Sequence, residues 1–373
     1  MSSPALTWSE WLDRQAPRVM LMPALLILLA FSIFPLVASA YLALSRFRLE
    51  PGGYSLRFVG LRNFRKLLFG SEQYHFLGTF GSLSILDWIL LGMVAGSIGW
   101  WLVATIRSRK WSVIGLIGRL ITAIVLIGLT WIAVSVIGTR GGPGSLVTTL
   151  FYVLVGVALQ FAIGLGLALL CARPIRGRTF FRVVFFIPLM VTPVGIAYTF
   201  RMLADMSKGP FSPLWQGLGL GDFAWAADAW SARWVVLIGE TWQWVPFMFI
   251  VLLAALENQP RDQLEAAKMD GADGWQIFRD ITWPAIAPAA ATIVLIRLIE
   301  AFKIIDLPNV LTNGGPGIAT ESMTLHAFIA WRTQQLGQSA AVGYLLLFVA
   351  VVTCVSFFNF IVQRTRAHER EAA

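Results

Sequence analysis

The sequence predicts an all-α, polytopic membrane protein with eight transmembrane helices, on three observations. Its 373 residues are 57% hydrophobic and only 13% charged, with a mean hydropathy of +0.72, too apolar for a chain that surrounds itself with water. Eight apolar runs reach the roughly 20 residues that a helix needs to cross a ~30 Å hydrocarbon layer: 19–45, 83–105, 113–138, 146–171, 183–203, 234–256, 286–306 and 341–363. Basic residues collect at alternate ends of these runs, as they do in cytoplasmic loops. Arg107, Arg109 and Lys110 follow the second run, Arg173, Arg176, Arg178 and Arg182 the fourth, and Arg364, Arg366 and Arg370 the last. The net charge of +9 thus belongs to a membrane surface rather than to nucleic acid, and both termini are expected in the cytoplasm.

Arg14 and Arg18 precede the first run, which contains Ala38-Ser39-Ala40, the spelling of a signal cleavage site. The apolar stretch is too long and continues past that site, whereas a signal core has about 7–15 residues. An uncleaved helix is therefore expected. Arg46, Arg48, Arg57, Arg62, Arg65 and Lys66 then fall outside, against the positive-inside trend, and Leu61 to Leu68 is amphipathic enough to lie on the outer interface. In the second and third runs, Gly92 and Gly96 form a small-residue face that suits helix packing, and Arg119 can snorkel. Cys171 and Cys354 lie in or beside spans as packing residues, with no disulfide or zinc pattern. Pro188 and Pro193 bend the fifth run. The loop from Asp205 to Arg233 carries Trp215, Trp225 and Trp230, residues that anchor at headgroup depth.

Ionisable groups inside spans are costly and face a cavity or a partner. Glu240, Gln243 and Trp244 in the sixth run offer carboxylate, amide and indole groups suited to hydroxyl-rich solutes. Arg297, Glu300, Lys303 and Asp306 alternate in sign along the seventh, so they suit a self-neutralising ladder as well as a solute path. An ion pair between Glu240 and Arg297 is the structural alternative to a path.

Between the sixth and seventh runs lies a polar island. Gln259-Pro260 ends one helix and starts another, because proline is tolerated in a first turn and restrains the residue before it. Arg261 to Asp270 is rich in helix formers, Gly271 can take positive φ and close that helix, and Asp273 can cap a second short helix, Gly274 to Ile281. Trp283-Pro284 is expected to restart the membrane helix. After the seventh run, Leu311-Thr312-Asn313-Gly314-Gly315-Pro316-Gly317 forms a rigid turn ahead of Thr320-Glu321.

Glu265-Ala266-Ala267 with Gly271, Ile281 and Pro284 resembles the E-A-A-x-x-x-G loop of binding-protein-dependent ABC importers, with Trp283 where leucine is usual. The 311–321 segment is similar to the LTxGGPxxxTE stretch of maltose-type carbohydrate permeases, of the MetI-like superfamily. Phe58-Val59-Gly60-Leu61-Arg62-Asn63-Phe64 and Trp242-Gln243-Trp244-Val245-Pro246-Phe247 agree. The resemblance implies a cytoplasmic segment 1–18, a first helix and outer loop 19–80, an inserted helix pair 81–144, a permease core 145–363 with a coupling loop 257–285, and a cytoplasmic tail 364–373. It also implies a multi-pass subunit in a prokaryotic inner membrane that imports a sugar. Its partners would be a second permease, two ATPases that hold ATP and Mg, and an extracytoplasmic solute-binding protein. Met190, Val194 and Tyr198 then join Glu240, Gln243, Trp244, Arg297 and Glu300 as candidates for the path.

No phosphate-cradling Gly-x4-Gly-Lys-Ser/Thr loop is present, and His75, His326 and His368 stand alone in sequence, so no metal, catalytic set or cofactor of its own is expected. Two alternatives remain: a permease of the same superfamily for a non-sugar solute, and an ion-coupled carrier using Glu240 and Arg297.

Overall fold

The structure, a computed structural model, describes residues 16, 20–107, 113–137, 142–173, 176–221 and 223–371, the side chains of 104–106, 113, 114, 117 and 360–371 excepted. Arg14, Arg18, Arg109, Lys110 and the side chains of Arg364, Arg366, His368 and Arg370 thus lie outside the described residues. Among the described residues, seven helices are long and apolar enough to span a membrane, and a bent pair makes eight if it counts as one span.

The first span, α1 (Met20–Ala43), is one helix with a π-turn at Leu29–Ile33. It leads into a feature the all-α expectation did not contain, an antiparallel hairpin of β1 (Ser45–Glu50) and β2 (Gly53–Phe58). The Pro51-Gly52 turn explains it: Gly52 has φ +91°, a conformation open to glycine at no steric cost. The expected interfacial piece is helix α2 (Arg62–Phe69), which buries Leu67, and one more turn, α3 (Gln73–Phe76), follows. The pair is α4 (Ile85–Arg107) and α5 (Val113–Ile137).

The body is built from α6 (Ser145–Ala172), the bent pair α7 (Arg178–Met190) and α8 (Pro193–Ala204), the surface helix α9 (Ser212–Gly217), and α10 (Ala229–Glu257). The fifth run is therefore not one bowed helix. It breaks by 101° between Met190 and Pro193, where Pro193 disfavours helical geometry at Thr192 and the Thr192 Oγ1 instead caps α8 through Gly195 N–H. Next come α11 (Arg261–Met269), α12 (Gly274–Ala301), α13 (Asp306–Thr312), α14 (Met323–Arg332) and α15 (Leu336–Glu371). The last helix continues beyond the expected end at 363.

The main core joins Val153, Val157, Met248, Phe249, Leu252, Ile286, Ile293, Ala341 and Val342, so α6, α10, α12 and α15 pack as one bundle. Lipid gives helices little hydrophobic reason to associate, so close packing and interhelical polar contacts hold such a bundle together. Tyr152 and Gln160 on α6, Arg233 and Glu240 on α10, and Arg297 on α12 are all buried polar groups within it.

Candidate functional site: a projecting elbow and a buried polar seam

The elbow begins at Pro260, where the chain leaves α10 and α11 starts. Good helix formers fill α11, and Asp262 in its first turn and Lys268 in its last complement the helix dipole. Gly271, at φ +79°, takes a left-handed conformation in which any other residue is strained. Its N–H bonds Lys268 O at 3.1 Å, and Ala272 N–H bonds Ala267 O at 3.0 Å, closing the helix. Asp273 then forms a full capping box: Gln276 N–H donates to Asp273 Oδ1 at 2.7 Å, and Asp273 N–H to Gln276 Oε1 at 2.8 Å.

One expectation is corrected at this point. No break separates a short helix ending at Ile281 from a membrane helix restarting at Trp283. A π-turn at Phe278–Thr282 carries the chain through, so Gly274–Ala301 is a single helix. Pro284 is tolerated because a π-turn already shifts the hydrogen-bond register just before it. Gln259 Nε2 donates to Thr282 O at 3.2 Å, tying the two ends of the elbow together.

None of α11's side chains is buried. Glu265, Ala266, Gly271 and Pro284 are exposed, Ala267 and Ile281 half-buried, and Met269 and Trp275 are 88% and 66% exposed. Trp275 stacks on Phe278 with centroids 5.7 Å apart, which stiffens the second arm.

The path candidates fall into two groups. Met190, Val194 and Tyr198 are 75%, 43% and 57% exposed on the broken helix. Glu240, Gln243 and Arg297 are buried inside the body instead. Arg297 Nη2 donates to Glu240 Oε1 at 2.5 Å and Nε to Gln160 Oε1 at 2.8 Å, while Gln160 Nε2 reaches Glu240 O at 3.4 Å. The Arg297 guanidinium lies 4.3 Å from the Trp244 ring centroid, a cation–π contact. The expected charge ladder is therefore split: α12 ends at Ala301, Glu300 pairs with Lys303 just beyond it at 2.7 Å, Asp306 starts α13, and Arg297 turns across to α10. Gln160 was missed from sequence, since a lone glutamine in an apolar run carries no partner signal.

At the other end of α12, residues 311–317 form the expected turn. Asn313, Gly314 and Gly317 have φ of 51°, 84° and 60°, and the Gly315–Pro316 bond is cis. Arg233, 1% exposed, donates from Nε to Ala319 O at 2.6 Å, and Tyr152 Oη donates to Thr320 O at 3.2 Å. His75 and His326, isolated in sequence, meet here. His75 Nε2 is 2.9 Å from Glu321 Oε1, His326 Nδ1 is 3.4 Å from the same oxygen, and the two rings stack at 4.1 Å. These three residues carry atoms of metal-ligand type. The rings lie within 23° of parallel; Glu321 is hydrogen-bonded to His75, and His326 Nδ1 has Ser145 Oγ as its hydrogen-bond partner at 3.1 Å. Burial lowers the His75 pKa, but Glu321 and Glu72 outweigh it and hold it above the usual histidine value. Burial, then the neighbouring His75, push His326 down to about 3.

Residues 160–368 match the family described as the binding-protein-dependent transport system inner membrane component. The trehalose/maltose transport system permease protein MalF of Thermococcus litoralis is 34% identical over 205 residues, covering 55% of this chain and 69% of that protein. The probable starch degradation products transport system permease protein AmyD of Thermoanaerobacterium thermosulfurigenes is 29% identical, covering 57% and 73%. Among solved structures, a chain of a bacterial ABC transporter involved in the import of alginate aligns with a TM-score of 0.54 at 19% identity, covering 74% of this chain and 96% of that one. At that identity the likeness speaks for the fold alone.

Proposed function

Because this chain belongs to the family of binding-protein-dependent transport system inner membrane components, we propose that it is the permease subunit of an ABC importer that carries a sugar or related carbohydrate into the cytoplasm. The names of the relatives, for trehalose/maltose and starch degradation products, support the substrate class. The observation that carries the mechanism is the elbow: a helix with no buried side chain turns at Gly271 into a capped arm that runs without a break into a membrane-crossing helix.

The elbow lies in the cytoplasm in this reading, and both termini with it. Glu265, Ala266, Ala267 and Gly271 on one arm, and Ile281 and Pro284 on the other, meet a partner ATPase, which binds the ATP and Mg. Small side chains at Ala266 and Ala267 let the partner approach closely, and Met269 and Trp275 give it apolar surface to cover. Nucleotide shifts the membrane helices only if it binds their two arrangements with different affinity. A second permease, a second ATPase and an extracytoplasmic solute-binding protein complete the assembly. The core is 145–363, with the coupling loop 257–285, and 81–144 is an insertion; α4 and α5 precede the matched stretch.

Met190, Val194 and Tyr198 are the solute-path residues best placed to be reached, since they are exposed at the break in the fifth span. Glu240 and Arg297, with Gln160, form a neutral seam that joins helices, with Trp244 on its edge and Gln243 buried on the same helix as Glu240. Glu300, paired with Lys303, lies half-exposed beyond it.

A cysteine at Met269 in the assembled transporter tests the central step. It should cross-link to the co-purified ATPase, with a yield that changes on adding ATP, and the solute-binding protein should retain a carbohydrate. A cysteine labelled only from outside the cell removes the proposal.

A further inference from the structure

A cleft of about 380 Å³ opens between the β1–β2 hairpin, α2 and the start of α15. Its lining includes Arg46, Arg48, Arg62 and Lys66, with Asn63 and Gln338. Four cations in one small cleft repel one another, and the local geometry sharpens the conflict. Arg46 and Arg48 stand two apart on β1, hence on one face, and Arg57 is the register partner of Arg46 across the hairpin, a directly opposed like-charge pair of the destabilising kind. Arg62 and Lys66 are four apart on α2 and share a helix face. Of these four cations only Lys66 has an ion-pair partner among the described residues, Glu72 at 3.1 Å. Arg46, Arg48 and Arg62 have none.

The cleft is nonetheless firmly built. Asn63 Nδ2 donates to Ala43 O and Ser45 O at 2.7 and 2.9 Å, pinning α2 to the end of α1. Gly337 lets the start of α15 approach so closely that a Cβ there would collide with Ser45 O. On the cleft wall, Ser45 is fully buried, yet its Oγ has no hydrogen-bond partner. A buried hydroxyl without a partner costs stability, and the cleft in front of it is short of negative charge.

Its depth in the membrane follows from the chain. The cleft begins at Ser45, two residues after α1 ends at Ala43, and closes on Gly337, at the start of α15. It therefore sits where two spans leave the hydrocarbon. Below it, Val37 and Tyr41 on α1 and Leu347, Phe348 and Val351 on α15 are exposed, and beside it so are Leu49, Tyr54, Phe58, Leu61 and Phe69. Basic groups interleaved with exposed apolar side chains at headgroup level are the chemistry that holds anionic lipid.

We propose that this cleft binds the headgroup phosphate of an anionic phospholipid, its acyl chains lying along α1 and α15. The phosphate oxygens neutralise Arg46, Arg48 and Arg62. The lipid then locks the hairpin and α2 against the ends of both spans, which accounts for so many arginines on one short segment.

The test is native mass spectrometry of the full transporter released from nanodiscs that contain equal phosphatidylglycerol and phosphatidylcholine. The unaltered protein should retain phosphatidylglycerol preferentially. At about fivefold per basic residue, Arg48→Gln should lower that preference roughly fivefold, and Arg46→Gln/Arg48→Gln/Arg62→Gln on the order of a hundredfold. These arginines are exposed, so the variants should fold. Arg178→Gln, the same charge change elsewhere, should leave retention as it was. Equal retention of the two lipids, or equal losses in Arg178→Gln and Arg48→Gln, overturns the proposal. So does protection of the cleft arginines from phenylglyoxal by inorganic phosphate as well as by phosphatidylglycerol, which makes the ligand a soluble anion.

Discussion

The elbow at 261–283 and the turn at 311–326 stand at opposite ends of α12, and both are short polar interruptions made with glycine and proline. In the elbow, α11 buries nothing and Glu265 and Gly271 face outward. In the turn, Leu311, Thr320, Glu321, Ser322, Met323 and His326 are all buried, and Thr320, Glu321 and Ser322 bond to residues drawn from other elements. Both resemble family signatures in sequence, and the difference in burial separates them. One signature holds this chain together, and the other stays on the surface.

Breaking the elbow should therefore cost function without cost to the fold. Gly271→Pro cannot keep φ +79° and removes the N–H that bonds Lys268 O. It should abolish substrate-stimulated ATP hydrolysis in proteoliposomes, while the unfolding midpoint of the membrane body scarcely moves. Retained stimulation would dissolve the contrast.

Breaking the turn should do the reverse. Arg233→Met removes the hydrogen bond from a buried guanidinium to Ala319 O, a loss of about 1.5–3 kcal/mol for a charged donor. Thermal unfolding in detergent should show the loss, and cross-linking of the elbow to its partner should persist in the protein that remains folded.

The finest probe is pH. The His75 pKa is raised in the folded protein, so its stabilising contribution is full below the unfolded value near 6.5 and fades as pH rises through the folded value. His326, lowered to about 3, behaves oppositely: its contribution is full above about 6.5 and is lost as pH falls through about 3. Stability of the turn should thus fall on both sides of a maximum near 6.5. His75→Gln should flatten the alkaline limb, and soften the acid limb less because one cause of the low His326 pKa goes with it, as read from unfolding midpoints across pH; an unchanged alkaline limb would mean that Glu321 does not share a proton with His75.

Much of this was legible in the chain because it is local. Span positions follow from runs of apolar residues, and Gly271, Asp273 and the 311–317 turn from backbone preferences that act over a few residues. The Glu240–Arg297 pair was legible as one of two alternatives, since a buried charge must find a partner. What could not be read needs distance or register. His75 and His326 are 251 positions apart, and no periodicity says that α3 and α14 meet. Gln160 completes the Arg297 seam from a third helix. The hairpin was overlooked because six-residue strands between apolar runs leave little pattern, and Arg46-Phe47-Arg48-Leu49 alternates over only four positions. The unbroken course of α12 was hidden by Pro284, which by its usual effect predicts a boundary.

That unbroken course has a mechanical consequence. A helix of 28 residues from Gly274 to Ala301 is a rod of about 42 Å at 1.5 Å per residue. Tilted by about 5° while pivoting near the capped Asp273 end, such a rod carries its far tip sideways by roughly 4 Å, close to the spacing of neighbouring strands in a sheet. A push too slight to unfold anything outside the bilayer is thus magnified by leverage into a displacement wide enough to pull neighbouring side chains out of contact within it.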